Sequence, residues 1–416
     1  MTTQQTTTDH TPIEVIPPEE LFIRHTRCRE MLARHAPQAC GLLVFSRVNI
    51  YYLTGTLGNG VFWLPLSGGP VLLARHGLER CRLESPLAHI LPFRSYSDIL
   101  PRLGEAGSAP QNTTLAAEFS GLTWQFGDML RAKLAGFSFV PGDHALTLTR
   151  SVKTGWELAK LRLAGKRHHE SLYSELPKLI RPGMNEREIS HRAWDVFFAR
   201  GHSGILRMNS FGEEIFLGHV SAGENGNYPN HFNGPLGVKG EHPATPYMGY
   251  AGSVWNPGTP LAVDIGFCLE GYHTDKTQLY WAGDAQGIPD AARRAHDTCI
   301  EIQRHVSERM MPGAIPSQIY GEAIAMADKA GFAEGFMALG GGKVPFVGHG
   351  IGLAVDEYPV LANKFDDPLE AGMVMAVEPK IGIPGLGMVG VENTFEITDT
   401  GARCLTGNEY DMVCIS

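Results

Sequence analysis

Two acidic pairs and one histidine are the residues of this chain whose types and spacing could do chemistry. In VDIGFCLEGYHTDKTQ, Val263 to Gln278, Asp264 and Asp275 flank a turn expected at Leu269-Glu270. The alternation on either side reads as a β-hairpin, and side chains directly opposed across an antiparallel pair lie roughly 4.5–5.5 Å apart. Two carboxylates held that close repel. Either one pKa rises sharply or a cation sits between them. The device recurs in MAVEPKIGIPGLGMVGVENTFEIT, where Glu378 and Glu392 are symmetric about Gly385 in a Gly/Pro-rich turn between apolar strands. Between the hairpins lies VGHGIGL, whose His349 is flanked by glycines that let the backbone approach closely. Two Asp, two Glu and one His make an oxygen-rich donor set, suited to two hard or borderline divalent ions rather than to a structural zinc.

In this order and in the local contexts GYHTD, GHGIG, VEP and VEN, these residues closely resemble the pita-bread metallopeptidases: methionine aminopeptidase, Xaa-Pro aminopeptidase, prolidase and their relatives. The resemblance covers about residues 150 to 410. It implies a pair of divalent ions held by Asp264, Asp275, His349, Glu378 and Glu392, their identity (manganese, cobalt, iron or zinc) following availability. Asp275 and Glu392 would bridge, Asp264 would complete one shell, and His349 with Glu378 the other. Glu378 is also the implied proton shuttle. A water shared by two ions is acidified toward neutrality and yields a bridging hydroxide. The implied reaction is hydrolysis of an amide bond near a peptide N-terminus, by an Xaa-Pro aminopeptidase or dipeptidase-like enzyme. His231, in NYPNHF, matches a histidine that lies near the scissile bond in peptidase relatives and is expected to touch substrate. Relatives with this layout are commonly homodimers.

The run GHGIGLAVDEYP departs from the peptidase pattern. Asp356 stands where an accessory histidine is expected, and Pro345 where another often occurs. A carboxylate cannot donate to a developing oxyanion, but it could act as a general base. DEYP resembles a motif of the dimethylsulfoniopropionate lyases, a non-peptidase branch of the superfamily, so a lyase-like or creatinase-like enzyme with Asp356 as base is the alternative. Asp356 could equally cap the turn before Pro359. A second alternative is a binding module that has lost catalysis, against which the complete ligand set argues.

The elements that must position these residues are legible in outline. IRPGMNEREISHRAWDVFFARG and MMPGAIPSQIYGEAIAMADKAG share a Pro-Gly entry into an amphipathic helix, with Gly183 to Gly201 matching Gly313 to Gly331. A duplicated helix-and-hairpin unit would set the Asp and Glu hairpins around a pseudo-twofold axis. The fold class that the resemblance implies is an α/β N-terminal domain followed by an α+β pita-bread catalytic domain, and the repeat agrees with its internal pseudo-symmetry. The boundaries are a mobile arm at 1–19, an α/β domain at 20–150 resembling the N-terminal domain of creatinase and prolidase, and the metallohydrolase domain at 151–416. In the α/β domain a helix from about Glu20 leads into GLLVFSRVNIYYLTGT, read as β-rich, with NIYYLTG as a strand. After the boundary WELAKLRLAGKRHHESLYSELPKLI is helical, and its His168 and His169 are expected at the surface. The Gly/Pro/Asn-rich stretch from Gly218 to Pro260 reads as a long ordered loop over the pocket.

At 416 residues the chain is too long for one ordinary core. Its net charge of −9, with no basic block, excludes nucleic acid and anionic membrane surfaces as partners and leaves a small peptide or small-molecule substrate. Seven scattered cysteines without CxxC spacing read as reduced thiols in a cytoplasmic protein. Cys268, close to the first hairpin's turn, is not expected to be a ligand. No apolar run approaches the roughly 20 residues of a membrane span, and the N-terminus does not read as a secretory signal.

Overall fold

A computed structural model describes residues 11–210, 213 and 215–416, so the first ten residues of the expected arm lie outside the described part. One compact unit ends at Arg150 and a second begins at Ser151.

The first unit opens with an irregular stretch and the helix Pro18–His35, which starts at a proline with Glu19 and Glu20 in its first turn. Both features suit a helix N-terminus. Six strands follow: β1 (Gly41–Val44), β2 (Asn59–Pro65), β3 (Val71–His76), β4 (Ile90–Pro92), β5 (Thr114–Ala117) and β6 (Ser138–Pro141). They form one sheet in the order β4-β3-β2-β1-β5-β6, antiparallel only where β1 meets β2 and β2 meets β3. Leu43, Val61, Trp63, Leu73 and Leu115 fill its core. The expected NIYYLTG strand is instead the helix Arg47–Thr54. Its composition favours a strand, but its ends decide: Ser46 accepts from the amide of Asn49, and Gly55 closes it at φ 82°.

The second unit pairs β7 (Gly218–Ala222), β8 (Pro260–Leu269) and β9 (Tyr272–Ala282) as an antiparallel series. The β8–β9 turn is one residue later than expected. Glu270 and Gly271 carry φ of 51° and 88°, as a two-residue type I′ turn requires. The register therefore pairs Asp264 with Thr277 and Gly266 with Asp275, so the aspartates are diagonal neighbours rather than directly opposed. A shift of two preserves the face, and both still point the same way.

Next come β10 (Phe346–Gly350), β11 (Glu357–Ala362), β12 (Val374–Val377), β13 (Lys380–Ile383), β14 (Gly387–Gly390), β15 (Asn393–Thr398) and β16 (Gly401–Cys404). The larger sheet runs β11-β10-β12-β15-β16, while β13 and β14 form a separate ribbon. Val377 pairs with Asn393 and Lys380 with Gly390, so both ladders share the centre expected at Gly385. Glu378 and Glu392 fall at the break between them, where Pro379 has no amide to give. The final strand, β17 (Val413–Ile415), returns parallel to β9.

The repeated helices are Glu186–Ala199 and Pro316–Lys329. The four glycines that frame them have φ of 90°, 91°, 88° and 82°, so both copies enter and leave by left-handed turns. The first packs against β7 to β9 through Ile189, Ala193 and Phe197. The second, with the helix Asp290–Arg309, covers the other sheet through Ile319, Ala323 and Val306.

His168 is not a surface residue. It is fully buried on the helix Gly155–His169, between Phe197 and Phe267, with Nδ1 3.1 Å from Thr274 Oγ1. Only one face of that helix meets solvent, and His168 is on the other; His169 is half-buried. All seven cysteines are free thiols. Residues 223–259 contain one helical turn, Gly223–Asn227, and are otherwise irregular. No helix among the described residues is long and apolar enough to cross a membrane.

Candidate active site

The two hairpins are stitched together. Thr277 on β9 bridges Glu392, its hydroxyl donating to Glu392 Oε2 at 2.8 Å. The Thr394 hydroxyl on β15 accepts from the Asp275 amide at 2.8 Å and donates to the Asp275 carbonyl at 2.9 Å. This brings Asp275 and Glu392, 117 positions apart in the sequence, to one point. On the other side, β10 pairs with β12 through His349 and Ala376, and the Glu378 amide donates to Val347.

All five residues singled out by type and spacing converge. Asp275, His349 and Glu392 offer donor atoms within 4.8 Å of one another, and so do Asp264, Glu378 and Glu392. Glu392 belongs to both sets. The imidazole is oriented by its own strand: His349 Nδ1 lies 3.0 Å from the Gly350 carbonyl and Nε2 3.6 Å from Glu378 Oε1. With the proton on Nδ1, Nε2 presents its lone pair to the carboxylates, as a ligating histidine must.

The electrostatics are those of crowded like charges. Burial, then the charge of Asp264, pushes Asp275 up to about 7, and the same two causes raise Glu392 well above the usual carboxylate range. Asp264 goes the other way. Its burial opposes ionisation, but the Lys380 ammonium and His219 outweigh it and hold the carboxyl low. Lys380 Nζ lies 2.8 Å from Glu392 Oε2, 2.9 Å from Glu378 Oε2 and 3.2 Å from Asp264 Oδ2. Four carboxylates and an imidazole at this spacing fit divalent cations. One ammonium neutralises a quarter of the formal acidic charge, and the donor set is the oxygen-rich one such ions take.

The cluster is the floor of a cavity of about 180 Å³. Its walls are apolar, from Leu206, Met208, Leu217, Phe232, Phe346 and Val360. Drug-sized ligands usually occupy about 300–1,000 Å³, so the room is for something smaller. Phe232, Asn233 and Gly234 of the long loop form part of the wall. His231 does not. Its ring is exposed and outside the cavity lining, because the loop turns its neighbours inward.

The further imidazole at the site is His219. It pairs with Asp264 in the β7–β8 ladder, lines the cavity, and packs on Phe232 with ring centroids 5.2 Å apart. Its Nε2 is buried with no hydrogen-bond partner among the described residues. Burial pulls its pKa down to about 4, against the attraction of Asp264, so it is neutral. Sequence reading passed over it because a lone histidine in GHVSA gains meaning only from its pairing partner.

Asp356 lines the same cavity, but both of its oxygens are engaged: Oδ1 accepts from the Asn209 amide and Oδ2 lies 3.1 Å from the Ser210 hydroxyl. It ties the stretch before β7 to the start of β11. Glu357 beside it faces Lys153 at 3.3 Å and accepts from the Ala354 amide. Cys268 is buried and absent from the lining.

Residues 159–399, more than half of the chain, match Metallopeptidase family M24. The chain belongs to that family. Membership makes it a metal-dependent hydrolase, and residues 24–152 match the Creatinase/Prolidase N-terminal domain. The M24 chain is 27% identical to the probable dipeptidase PepE of Mycobacterium tuberculosis (strain ATCC 25618 / H37Rv), over 90% of this chain and 92% of that one. It is 23% identical to the Xaa-Pro dipeptidase of Pyrococcus furiosus, over 88% and 93%. Its fold matches that of the Xaa-Pro dipeptidase from Bacillus anthracis, with TM-score 0.77, 21% identity, and coverage of 95% of this chain and 100% of that one. The expected pita-bread architecture, with an α/β domain before it, is the one these M24 relatives have.

Proposed function

We propose that this M24 chain is a dinuclear dipeptidase acting on small Xaa-Pro substrates, with Asp264, Asp275, His349, Glu378 and Glu392 holding two divalent ions. The observation that carries it is the pair of overlapping donor sets sharing Glu392. When bound, the ions supply Lewis-acid polarisation of the scissile carbonyl and an activated water. The protein's own part is positioning. The apolar wall of Leu206, Leu217, Phe232 and Val360 takes the hydrophobic part of a short substrate and excludes water. Glu378 moves the proton between nucleophile and leaving amine. Neutral His219 offers Nε2 to the substrate's polar groups, in the role first expected of His231. Asp356, with its oxygens already engaged, holds the cavity rim.

Residues 20–150 serve as a scaffold, since they carry no comparable cluster, and 151–416 hold the catalytic site. Seven free thiols support a cytoplasmic setting; the homodimer implied by the resemblance is checked by sedimentation, and a monomer mass would remove it. The activity is tested by loading the purified chain with manganese, cobalt, iron or zinc and following proline release from Xaa-Pro dipeptides. A protein that holds metal and releases no proline from any of them does not have this function.

A further inference from the structure

Apart from the five candidate ligands and His219, the charged side chains that line the cavity are Asp356 and Glu357, and both are acidic. No lysine or arginine is among the described lining residues. Lys380 lies outside the lining, 1% exposed and committed to three carboxylates. Divalent ions would neutralise the carboxylates that hold them, and Glu357 is paired with Lys153 at 3.3 Å.

Asp356 has no such cation among the described residues. Its oxygens face neutral donors, the Asn209 amide and, at 3.1 Å, the Ser210 hydroxyl. A carboxylate offers about four acceptor positions, so about two remain and the charge is not cancelled. A second carboxylate stands beside it. Burial, then the charge of Asp356, raises the Glu213 carboxyl, and what opposes the rise is the Ser210 hydroxyl and the Asn233 amide rather than a cation. The half-buried Asp356 therefore gives one side of an apolar cavity an uncompensated negative charge. A separate observation says that a polar ligand belongs there: His219, 6% exposed, lines the same cavity and keeps Nε2 without a partner among the described residues.

We propose that Asp356, with Glu213 behind it, selects substrates by charge: the Xaa-Pro dipeptides favoured are those whose first side chain carries a cation, and those whose first side chain is acidic are turned away. The inference rests on the dipeptidase reading above and names the substrate class within it. The methylene stem of a lysine or arginine lies against the apolar wall, as such stems do, and its charged head meets Asp356. An acidic side chain in the same place meets a like charge. Selection of this kind acts on encounter and binding rather than on bond breaking, so it belongs in KM.

The test uses the full manganese-loaded chain with Lys-Pro, Met-Pro and Glu-Pro, three dipeptides with unbranched first side chains that differ in charge. Their kcat/KM is expected to fall in that order. Lys-Pro should stand at least about tenfold above Glu-Pro, the scale of one hydrogen bond to a charged group, with the difference in KM. Raising salt from about 0.05 M to about 1 M should shrink that ratio, because the screening length then falls to about 3 Å. Asp356→Asn and Glu213→Gln, with folding checked by circular dichroism, keep the shape and remove the charge. Both should lower the Lys-Pro to Glu-Pro ratio, Asp356→Asn toward one. Equal kcat/KM for Lys-Pro and Glu-Pro in the wild type overturns the proposal without any variant, and so does a preference that folded Asp356→Asn retains in full. Either result leaves the dipeptidase reading standing. Proline release from none of the three overturns both.

Discussion

Glu392 is the residue on which the metal reading turns, because it is the one donor common to both sets. Glu392→Ala is expected to lower bound metal by at least one ion per chain and to cut turnover by more than about 100-fold, since even residues behind a ligand cost 10–100-fold. Metal analysis of the purified variant decides; normal content would show that Glu392 holds nothing. His219 on β7 and His231 on the long loop separate as sharply. His219 Nε2 is buried at the cavity without a partner, whereas His231 is exposed outside it. His219→Ala should therefore lower kcat/KM by about 10²-fold, the scale for losing one positioned donor, with metal content unchanged. His231→Ala should stay near the wild-type value. If the two results are exchanged, the loop carries substrate in another way.

At the scale of elements, the ladders set the site. Gly218 opens β7 beside His219 at φ 142°, and a Cβ there would lie 2.2 Å from the Asp264 carbonyl. Gly218→Ala cannot keep both the β7–β8 register and its backbone conformation, and strain of this kind costs of order 1–3 kcal/mol. Urea unfolding should report that loss, together with weaker metal binding as Asp264 shifts; unchanged stability would mean that β7 is free to slide. The same ladders explain what was legible in the sequence. The two acidic pairs were readable because each belongs to one hairpin, and in the Asp hairpin the period of two keeps both members on one face even though the turn falls a residue later than expected; His349 was readable from its glycine neighbours. The helical repeat was readable because its left-handed turns are marked by glycine. His219 was not, since its meaning comes from pairing with Asp264, 45 positions away. Nor was the helix at Arg47–Thr54, where two end caps outweigh a composition suited to strands. The burial of His168 depends on which side of a helix the β7–β9 sheet covers, and an amphipathic pattern with histidine inside does not announce it.

On the scale of the whole chain, two compact units with separate cores imply that acid acts on each through its own buried groups. In the first unit that group is His25, whose ring stacks on Phe62 and whose Nε2 lies 2.7 Å from the Leu53 carbonyl. Burial outweighs that hydrogen bond, and with Arg29 and Arg24 nearby the pKa falls from 6.5 to about 4. The folded value lies below the unfolded one, so the unfolded chain takes up the proton first. The contribution to stability is complete above about pH 6.5 and is lost as pH falls toward 4. Between pH 7 and 5 it amounts to about 2 kcal/mol. Hydrogen exchange of peptides from β1 and β2, corrected for intrinsic rates, should show their opening free energy falling by that amount. His25→Gln, which cannot take up the proton, should flatten the change across this range. Equal protection at pH 7 and 5 in the wild type would mean that His25 is reached by water and protonates without opening the unit.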